Sequence, residues 1–256
     1  KLTDHPERYQ QIIERMRPYS WEHGMAARYV SADYVLSSLD YIAYFSLIGI
    51  PAPDNRQSIL ERLKADQLIE RDVGEKWNVT NLGAILFATE LERFGPSIAR
   101  KGVRLVAYDG VDRTAKVTHR HDGRRGYASG FQGLISYING LLPQNEHIGQ
   151  ALRESRPLFP TLAIRELIAN ALIHQDMTIT GMGPQIEIFK DRIEITNPGK
   201  PLLLTDRMID LPPRSRNEAV ASLMRRMGIC EEQGSGLDKV LRQVEVYQLP
   251  PPLLRA

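Results

Sequence analysis

The stretch Thr161-Leu-Ala-Ile-Arg-Glu-Leu-Ile-Ala-Asn-Ala-Leu-Ile-His174 decides how this chain is interpreted. Apolar residues lie on almost every side of the helix that this stretch would form, so the sequence predicts a buried helix. Against that background Glu166, Asn170 and His174 recur every fourth residue and would share one face, which we call the polar stripe. A buried carboxylate needs a partner, a metal or a ligand, because an unpaired buried charge is costly. The polar stripe is therefore the candidate site.

Three interpretations of the polar stripe are open from the helix alone. In the first it is structural: Glu166 pairs with an arginine, Asn170 bonds the backbone and His174 lies near the surface. In the second, Glu166 and His174 bind a metal directly, although two helical turns separate them and the His-Glu-x-x-His spacing of zinc hydrolases is absent. In the third, Asn170 holds a magnesium ion that bridges nucleotide phosphates, while Glu166 orients and deprotonates an attacking water.

The sequence that follows favours the nucleotide interpretation. Residues 185–189 and 192–196 alternate apolar and polar side chains, which predicts a strand hairpin. The second strand runs directly into Asn197-Pro198-Gly199, where the glycine permits close approach of the backbone. Gly234-Ser235-Gly236 then opens the last predicted helix, and glycines at a helix start expose amide donors to an anion.

These segments together resemble a known family. Arg165-Glu166-Leu-Ile-Ala-Asn170-Ala171, the hairpin that ends in Asn197-Pro198-Gly199, and Gly234-Ser235-Gly236 look like the divergent histidine-kinase-like (GHKL) ATPase domain. More narrowly, they resemble its version in bacterial and archaeal transcriptional regulators that carry an upstream Schlafen/AlbA-type DNA-binding domain. The resemblance covers about residues 55–250 and depends on the combination of motifs, because each motif alone is weak. No P-loop motif is present.

The resemblance implies an ATP and Mg²⁺ site with a role for each matching residue. Glu166 corresponds to the general base and Asn170 to the asparagine that holds the magnesium ion. Asn197 and Gly199 fall where the family has Asp-x-Gly, whose acid accepts a hydrogen bond from the adenine amino group; an amide oxygen can accept the same bond. The resemblance also implies a lid over the nucleotide, formed by residues 200–233. The remaining implied residues lie at the phosphate end of the site: the glycine motif Gly234, Ser235 and Gly236, and the lid arginines Arg214 and Arg216.

The predicted fold is α+β, with a helix-on-sheet GHKL-type sandwich preceded by a helical, winged-helix-like region. Residues 1–98 form that first region, with helices at 7–17 and 32–47 and the order helix, strand, turn, strand, helix over 54–93. Residues 99–256 form the GHKL-like ATP-binding domain. Its expected elements before the polar stripe are a strand at 103–108, a second strand at 115–119, a helix at 130–142 and a polar connector at 143–160.

Positive charge is densest around the second of those strands. We call residues 116–125 the basic hairpin; with Arg113 beside it, its basic residues are Lys116, His119, Arg120, His121, Arg124 and Arg125. Such a cluster either holds phosphates or is a solvated hairpin tip. Through the basic hairpin, the winged-helix-like region or an upstream domain, DNA or RNA is an expected partner, and a homo-oligomer is also expected.

Composition narrows the class of protein. The 256 residues are 42% hydrophobic with a net charge of +2, which argues against disorder and against coating nucleic acid by bulk charge. Cys230 is the single cysteine, so an intrachain disulfide is excluded and a cytoplasmic location is expected. The most apolar run, residues 41–50, is shorter than the about 20 residues of a membrane span. Since the chain begins at Lys1 rather than methionine, we expect a segment upstream.

Two hypotheses of function follow. The first is a magnesium-dependent ATP-binding domain of a DNA-linked transcriptional regulator, which acts either as a slow ATPase or as a nucleotide-gated switch. The second is a nucleic-acid-binding or assembly module whose nucleotide pocket has degenerated, motivated by Asn197 in place of the acid and by the basic hairpin.

Overall fold

The computed structural model describes residues 20–72, 74–142, 144–148, 153–202, 215–231 and 236–255, and only the backbone of 144–148 and 153–157. The predicted α+β class is confirmed. The helix predicted at 7–17 lies outside the described residues. Across the described ranges, no helix has both the length and the apolar character needed to span a membrane.

The first part of the chain is a small antiparallel sheet surrounded by short helices. Its strands lie in the order β1-β3-β2 and are β1 (Met25–Val30), β2 (Ile69–Arg71) and β3 (Trp77–Thr80). Its helices are α1 (Ala32–Ser38), α2 (Tyr41–Ile48), α3 (Arg56–Ala65), α4 (Asn81–Phe87) and α5 (Pro96–Ala99), with 3-10 turns at Trp21–His23 and Leu91–Phe94.

The single helix predicted over residues 32–47 is wrong, because α1 and α2 are separate. Leu39 pairs with Ala88 in an isolated β-bridge, which takes its backbone out of the helical conformation. Asp40 then starts α2, since its side chain accepts a hydrogen bond from the Ala43 N–H at 3.0 Å. Apolar periodicity alone does not reveal this break, because both helices bury residues in the same core.

The second part is a four-stranded sheet with helices on one face. Its strands lie in the order β5-β4-β8-β9, with β4 and β8 parallel and the outer pairs antiparallel. They are β4 (Arg104–Tyr108), β5 (Val117–Asp122), β8 (Gln185–Ile188) and β9 (Ile193–Thr196). The helices are α6 (Tyr127–Leu141), α7 (Thr161–His174), α8 (Glu218–Arg226) and α9 (Gly236–Val246).

The polar connector predicted over residues 143–160 is wrong in part. Its backbone forms a separate two-stranded antiparallel hairpin, β6 (Gln144–Ile148) with β7 (Arg153–Pro157). The segment carries no alternating apolar pattern that would have predicted strands. Backbone hydrogen bonds between the two strands define this hairpin, and a sequence pattern does not show them.

Side chains alternate between the two faces of the four-stranded sheet. Leu105 of β4 and Ile186 of β8 belong to the same buried cluster as Ile168 of α7, so this face is the core face. Arg104 and Gln185 are the neighbouring residues on those strands and lie on the other face, which we call the outer face. Helix α7, which carries the candidate site, therefore packs on the core face of the sheet.

Two polar contacts join α8 to the first part of the chain. At the start of α8, the buried carboxylate of Glu22 accepts a hydrogen bond from the Val220 N–H at 2.6 Å. At its end, both guanidinium NH₂ groups of Arg226 donate to Asp66, which also accepts from the Tyr44 hydroxyl. One hydrophobic cluster contains residues from both parts, and the division at residue 98 stays a prediction.

The Asp66 contact predicts a pH-dependent stability. Burial alone would raise the pKa of Asp66, but the hydrogen bonds from Arg226 and Tyr44 outweigh it and lower that pKa below its ordinary value. Asp66→Asn should therefore lower the free energy of unfolding by about 1–3 kcal/mol at neutral pH. Since a carboxylate with a depressed native pKa stabilises only while ionised, the difference should shrink as the pH falls through that pKa.

Urea unfolding at neutral and acidic pH measures this effect. Asp54→Asn is the control, because Asp54 is exposed and precedes α3 without a hydrogen bond to another described residue. An equal loss for both variants, or a difference that grows in acid, would contradict the role of Asp66.

Candidate functional site

Helix α7 has the bounds that the sequence predicts and carries the polar stripe. Glu166 is buried with 6% of its surface exposed, whereas Asn170 and His174 are half-buried. Glu166 and His174 are eight positions apart, which corresponds to about 12 Å along the helix axis. The stripe therefore runs along the helix from a buried carboxylate to a more accessible imidazole.

The start of α9 lies directly against Glu166. A Cβ added to Gly236 would overlap the Glu166 carboxylate and lie 2.8 Å from its Cδ. The Glu231 N–H donates to the same carboxylate. Glycine at position 236 therefore allows the helix start to approach this side chain closely.

Glu166 is an acid with a raised pKa. Burial is the main cause, the nearby Glu231 carboxylate adds to it, and Arg165 and Lys239 oppose it. Within the described ranges no arginine pairs with Glu166; Arg165 instead donates to the Gly228 carbonyl. Because its pKa is raised, this carboxylate takes up a proton more readily than an ordinary glutamate, which suits a general base.

Asn170 lies one helical turn after Glu166 on the polar stripe. Among the residues that the structure describes, no group hydrogen-bonds this side chain. The same part of the chain contains no group of three His, Cys, Asp or Glu side chains that could hold a metal. An amide oxygen suits Mg²⁺, which usually takes one or two protein ligands and completes its shell with phosphates and waters. Asn170 therefore fits the ion that the resemblance implies.

The turn after β9 abuts the other end of α7. The Pro198 carbonyl accepts a hydrogen bond from the Asp176 N–H at 2.7 Å. Gly199 has a φ of +105°, and a Cβ there would lie 2.6 Å from the Asp176 Cβ. Asn197 and Gly199 are thus beside the end of the helix whose middle carries Glu166 and Asn170.

Asp176 is a carboxylate in this region that the sequence did not single out. One of its oxygens accepts from the Thr178 N–H at 3.0 Å and from the Thr178 hydroxyl at 2.5 Å. These bonds, together with the charges of Arg216 and Lys101, lower the pKa of Asp176 although burial opposes them. The Asp-x-Thr spacing signals this turn, but not its position beside Gly199.

Asn217 was also missed, and it holds the end of α7. Its side-chain NH₂ donates to the Ile173 carbonyl at 2.7 Å and to the Gln175 carbonyl at 2.8 Å. Arg216 beside it donates to the Lys200 carbonyl at 2.6 Å. Burial lowers the pKa of His174, and the charges of Arg216 and Arg225 lower it further, which places Arg216 near the polar stripe. Arg214, Gly234 and Ser235 lie outside the described residues.

The comparisons with known proteins support an ATPase-like domain at this place in the chain. Residues 181–256 match the family described as "Putative ATP-dependent DNA helicase recG C-terminal". The match includes the turn at Asn197 and the start of α9, whereas α7 precedes it. No curated protein matches the chain.

A solved structure shares the fold. The crystal structure of the DIP2311 protein from Corynebacterium diphtheriae superimposes with a TM-score of 0.69 at 18% sequence identity. The alignment covers 92% of this chain and 44% of that protein. This chain therefore spans less than half the length of that relative, and the likeness shows the fold alone.

Proposed function

We propose that this chain binds ATP together with Mg²⁺ on the core face of the sheet and hydrolyses it slowly. The observation that carries the proposal is the buried carboxylate of Glu166 packed against a glycine helix start, one turn from the Asn170 amide, which no described residue hydrogen-bonds. Glu166 as the base, Asn170 as the magnesium ligand and the start of α9 as the anion-binding group would then lie in one site. The match over residues 181–256 supports the same conclusion.

Each residue has a distinct task in this proposal. The Asn170 amide oxygen would hold Mg²⁺, which neutralises phosphate charge when bound. Glu166 accepts the proton of the attacking water, since its raised pKa favours proton uptake. Asn197, Gly199 and Asp176 form the end of the site where the nucleoside would lie, and Arg216 supplies positive charge near His174.

We further propose that this nucleotide site belongs to a cytoplasmic, DNA-linked transcriptional regulator. The contacts of Glu22 with Val220 and of Asp66 with Arg226 support it, because they connect α8 to the winged-helix-like order of elements. A change around the nucleotide could reach that region through these bonds. The family that matches residues 181–256 is described as the C-terminal part of a DNA helicase, which supports a link to DNA.

Calorimetric titration with a non-hydrolysable ATP analogue tests the nucleotide site. Wild-type protein should bind the analogue more tightly with Mg²⁺ than with EDTA. Asn170→Ala should weaken the magnesium-dependent binding by about tenfold, because it removes a direct ligand of the ion. The control is Gln132→Ala, an exposed amide on α6. Absence of binding by the wild type, or unchanged magnesium dependence in Asn170→Ala, would refute the proposal.

A further inference from the structure

A cavity of about 350 Å³ is lined by residues other than those of the candidate ATP site. Its walls come from the start of β4, the end of β5 and the segment that precedes β8. Arg104 and Gln185 line it, and both lie on the outer face of the sheet, whereas α7 packs on the core face. The cavity is therefore separate from the polar stripe.

Glycines keep the walls of this cavity close together and free of side chains. A Cβ added to Gly102 would overlap the Gly123 carbonyl oxygen, and one added to Gly183 would lie 2.8 Å from the Arg100 carbonyl oxygen. Backbone atoms therefore approach closely at these two positions of the wall, where a larger residue would not fit.

Three arginines line the cavity: Arg100, Arg104 and Arg124. Arg104 lies 3.3 Å from the Asp122 carboxylate, which is also 3.7 Å from Arg120. Arg100 and Arg124 form no ion pair with any other residue in the described ranges. Each guanidinium offers five N–H donors in a planar fork that matches phosphate oxygens. The guanidinium N–H groups of Arg100 and Arg124 can therefore donate to the oxygens of an anionic group in the cavity.

The positive surface continues from the cavity along β5. This strand lies at the edge of the sheet, and all six of its residues are exposed. Arg120 is opposite Val106 and so shares the outer face with Arg104. Lys116 precedes the strand and is also exposed. An extended anionic chain that leaves the cavity would therefore continue to meet cations.

Two arginines in or beside the basic hairpin form ion pairs within the protein and are therefore less available to a ligand. Arg113 pairs with the buried carboxylate of Glu187 at 2.6 Å, and Arg125 pairs with Asp40. The cations that remain for a ligand are those nearest to the cavity and the edge strand. Among the described residues, Arg100 and Arg124 beside the cavity therefore have no ion pair, whereas Arg120 shares the Asp122 carboxylate with Arg104.

We propose that the cavity and β5 bind single-stranded nucleic acid, with one nucleotide in the cavity and its phosphate between Arg100 and Arg124. A nucleotide can enter a cavity only when its base is unstacked and unpaired, which favours a single strand over a duplex. Glu92, Asp122 and Gln185 line the same cavity and provide acceptors and an amide for a base edge. This site goes beyond the ATP site and does not depend on it.

Fluorescence anisotropy with a labelled oligothymidylate tests the proposal on the full chain. The double variant Arg100→Glu/Arg124→Glu should bind about tenfold more weakly than wild type, because two charge-assisted contacts to phosphate are lost. The slope of affinity against salt should fall by about 0.7 for each lost contact on a single strand. The control is Arg242→Glu/Arg255→Glu, which changes the net charge equally at two exposed positions that do not line the cavity.

Two further ligands test whether the site prefers a single strand to other phosphate-containing molecules. Wild type should bind the oligothymidylate more tightly than a duplex of equal length or thymidine monophosphate. Equal loss in both double variants, tighter binding of the duplex, or equal binding of the mononucleotide would overturn the proposal. The milder variant Arg100→Ala/Arg124→Ala, checked by thermal unfolding, shows whether a loss of affinity arises without a loss of folding.

Discussion

Replacing Glu166 by glutamine should reduce ATP turnover roughly 100- to 10,000-fold while the ATP analogue still binds. The glutamine keeps the shape of the side chain but cannot accept the proton of an attacking water. Burial and Glu231 raise the pKa of Glu166, so wild-type turnover should fall as the pH drops through that raised value and protonates the base. Steady-state phosphate release across the pH range measures both effects.

Glu231→Gln is the matched control for this prediction. Glu231 repels the charge on Glu166, and its removal should lower the pKa of Glu166. The acid limb of the pH–rate profile should then move to lower pH, with turnover retained at neutral pH. Wild-type turnover in Glu166→Gln would remove Glu166 as the base, and an unmoved acid limb in Glu231→Gln would mean that another group controls it.

Replacing Gly236 by alanine should also cost about 100-fold in turnover, because a displacement of about 1 Å in a catalytic group has effects of that size. The new Cβ would overlap the Glu166 carboxylate, and the flexible glutamate side chain, rather than the helix, would move away. Helix α9 should tolerate alanine, since alanine is the stronger helix former. We therefore expect a large loss of turnover with a small change in the unfolding free energy.

Gly133→Ala separates this effect from a general effect of glycine replacement. Gly133 lies inside α6, and a Cβ there would meet nothing within 4 Å. That variant should gain about 0.5–1 kcal/mol of stability with unchanged turnover. Turnover and urea unfolding of both variants provide the comparison. If Gly236→Ala turned over ATP at the wild-type rate, the contact with Glu166 would have no part in the reaction.

Local patterns predicted most elements of the fold. The helix over 161–174 has the expected bounds, and the hairpin expected at 185–196 is β8 with β9. The strand expected at 103–108 is β4, and its antiparallel partner is β5. The helix over 161–174, β4 and the β8-β9 hairpin follow from their apolar residues, whose pattern reflects burial, whereas all six residues of β5 are exposed. The break between α1 and α2 and the hairpin β6-β7 were not predictable, because bonds to distant or polar segments define them.

In the candidate site, too, some features were predictable from the sequence and others were not. The spacing of Glu166, Asn170 and His174 follows from the helical repeat, and so the sequence alone determined that they share a face. Only the tertiary structure revealed that Gly236 touches Glu166 and that Asp176 lies against Gly199, because each contact joins segments far apart in the chain. The same holds for the basic hairpin. Its charges are evident in the sequence, but ion pairs with Glu187 and Asp40 decide which of them stay available to a ligand.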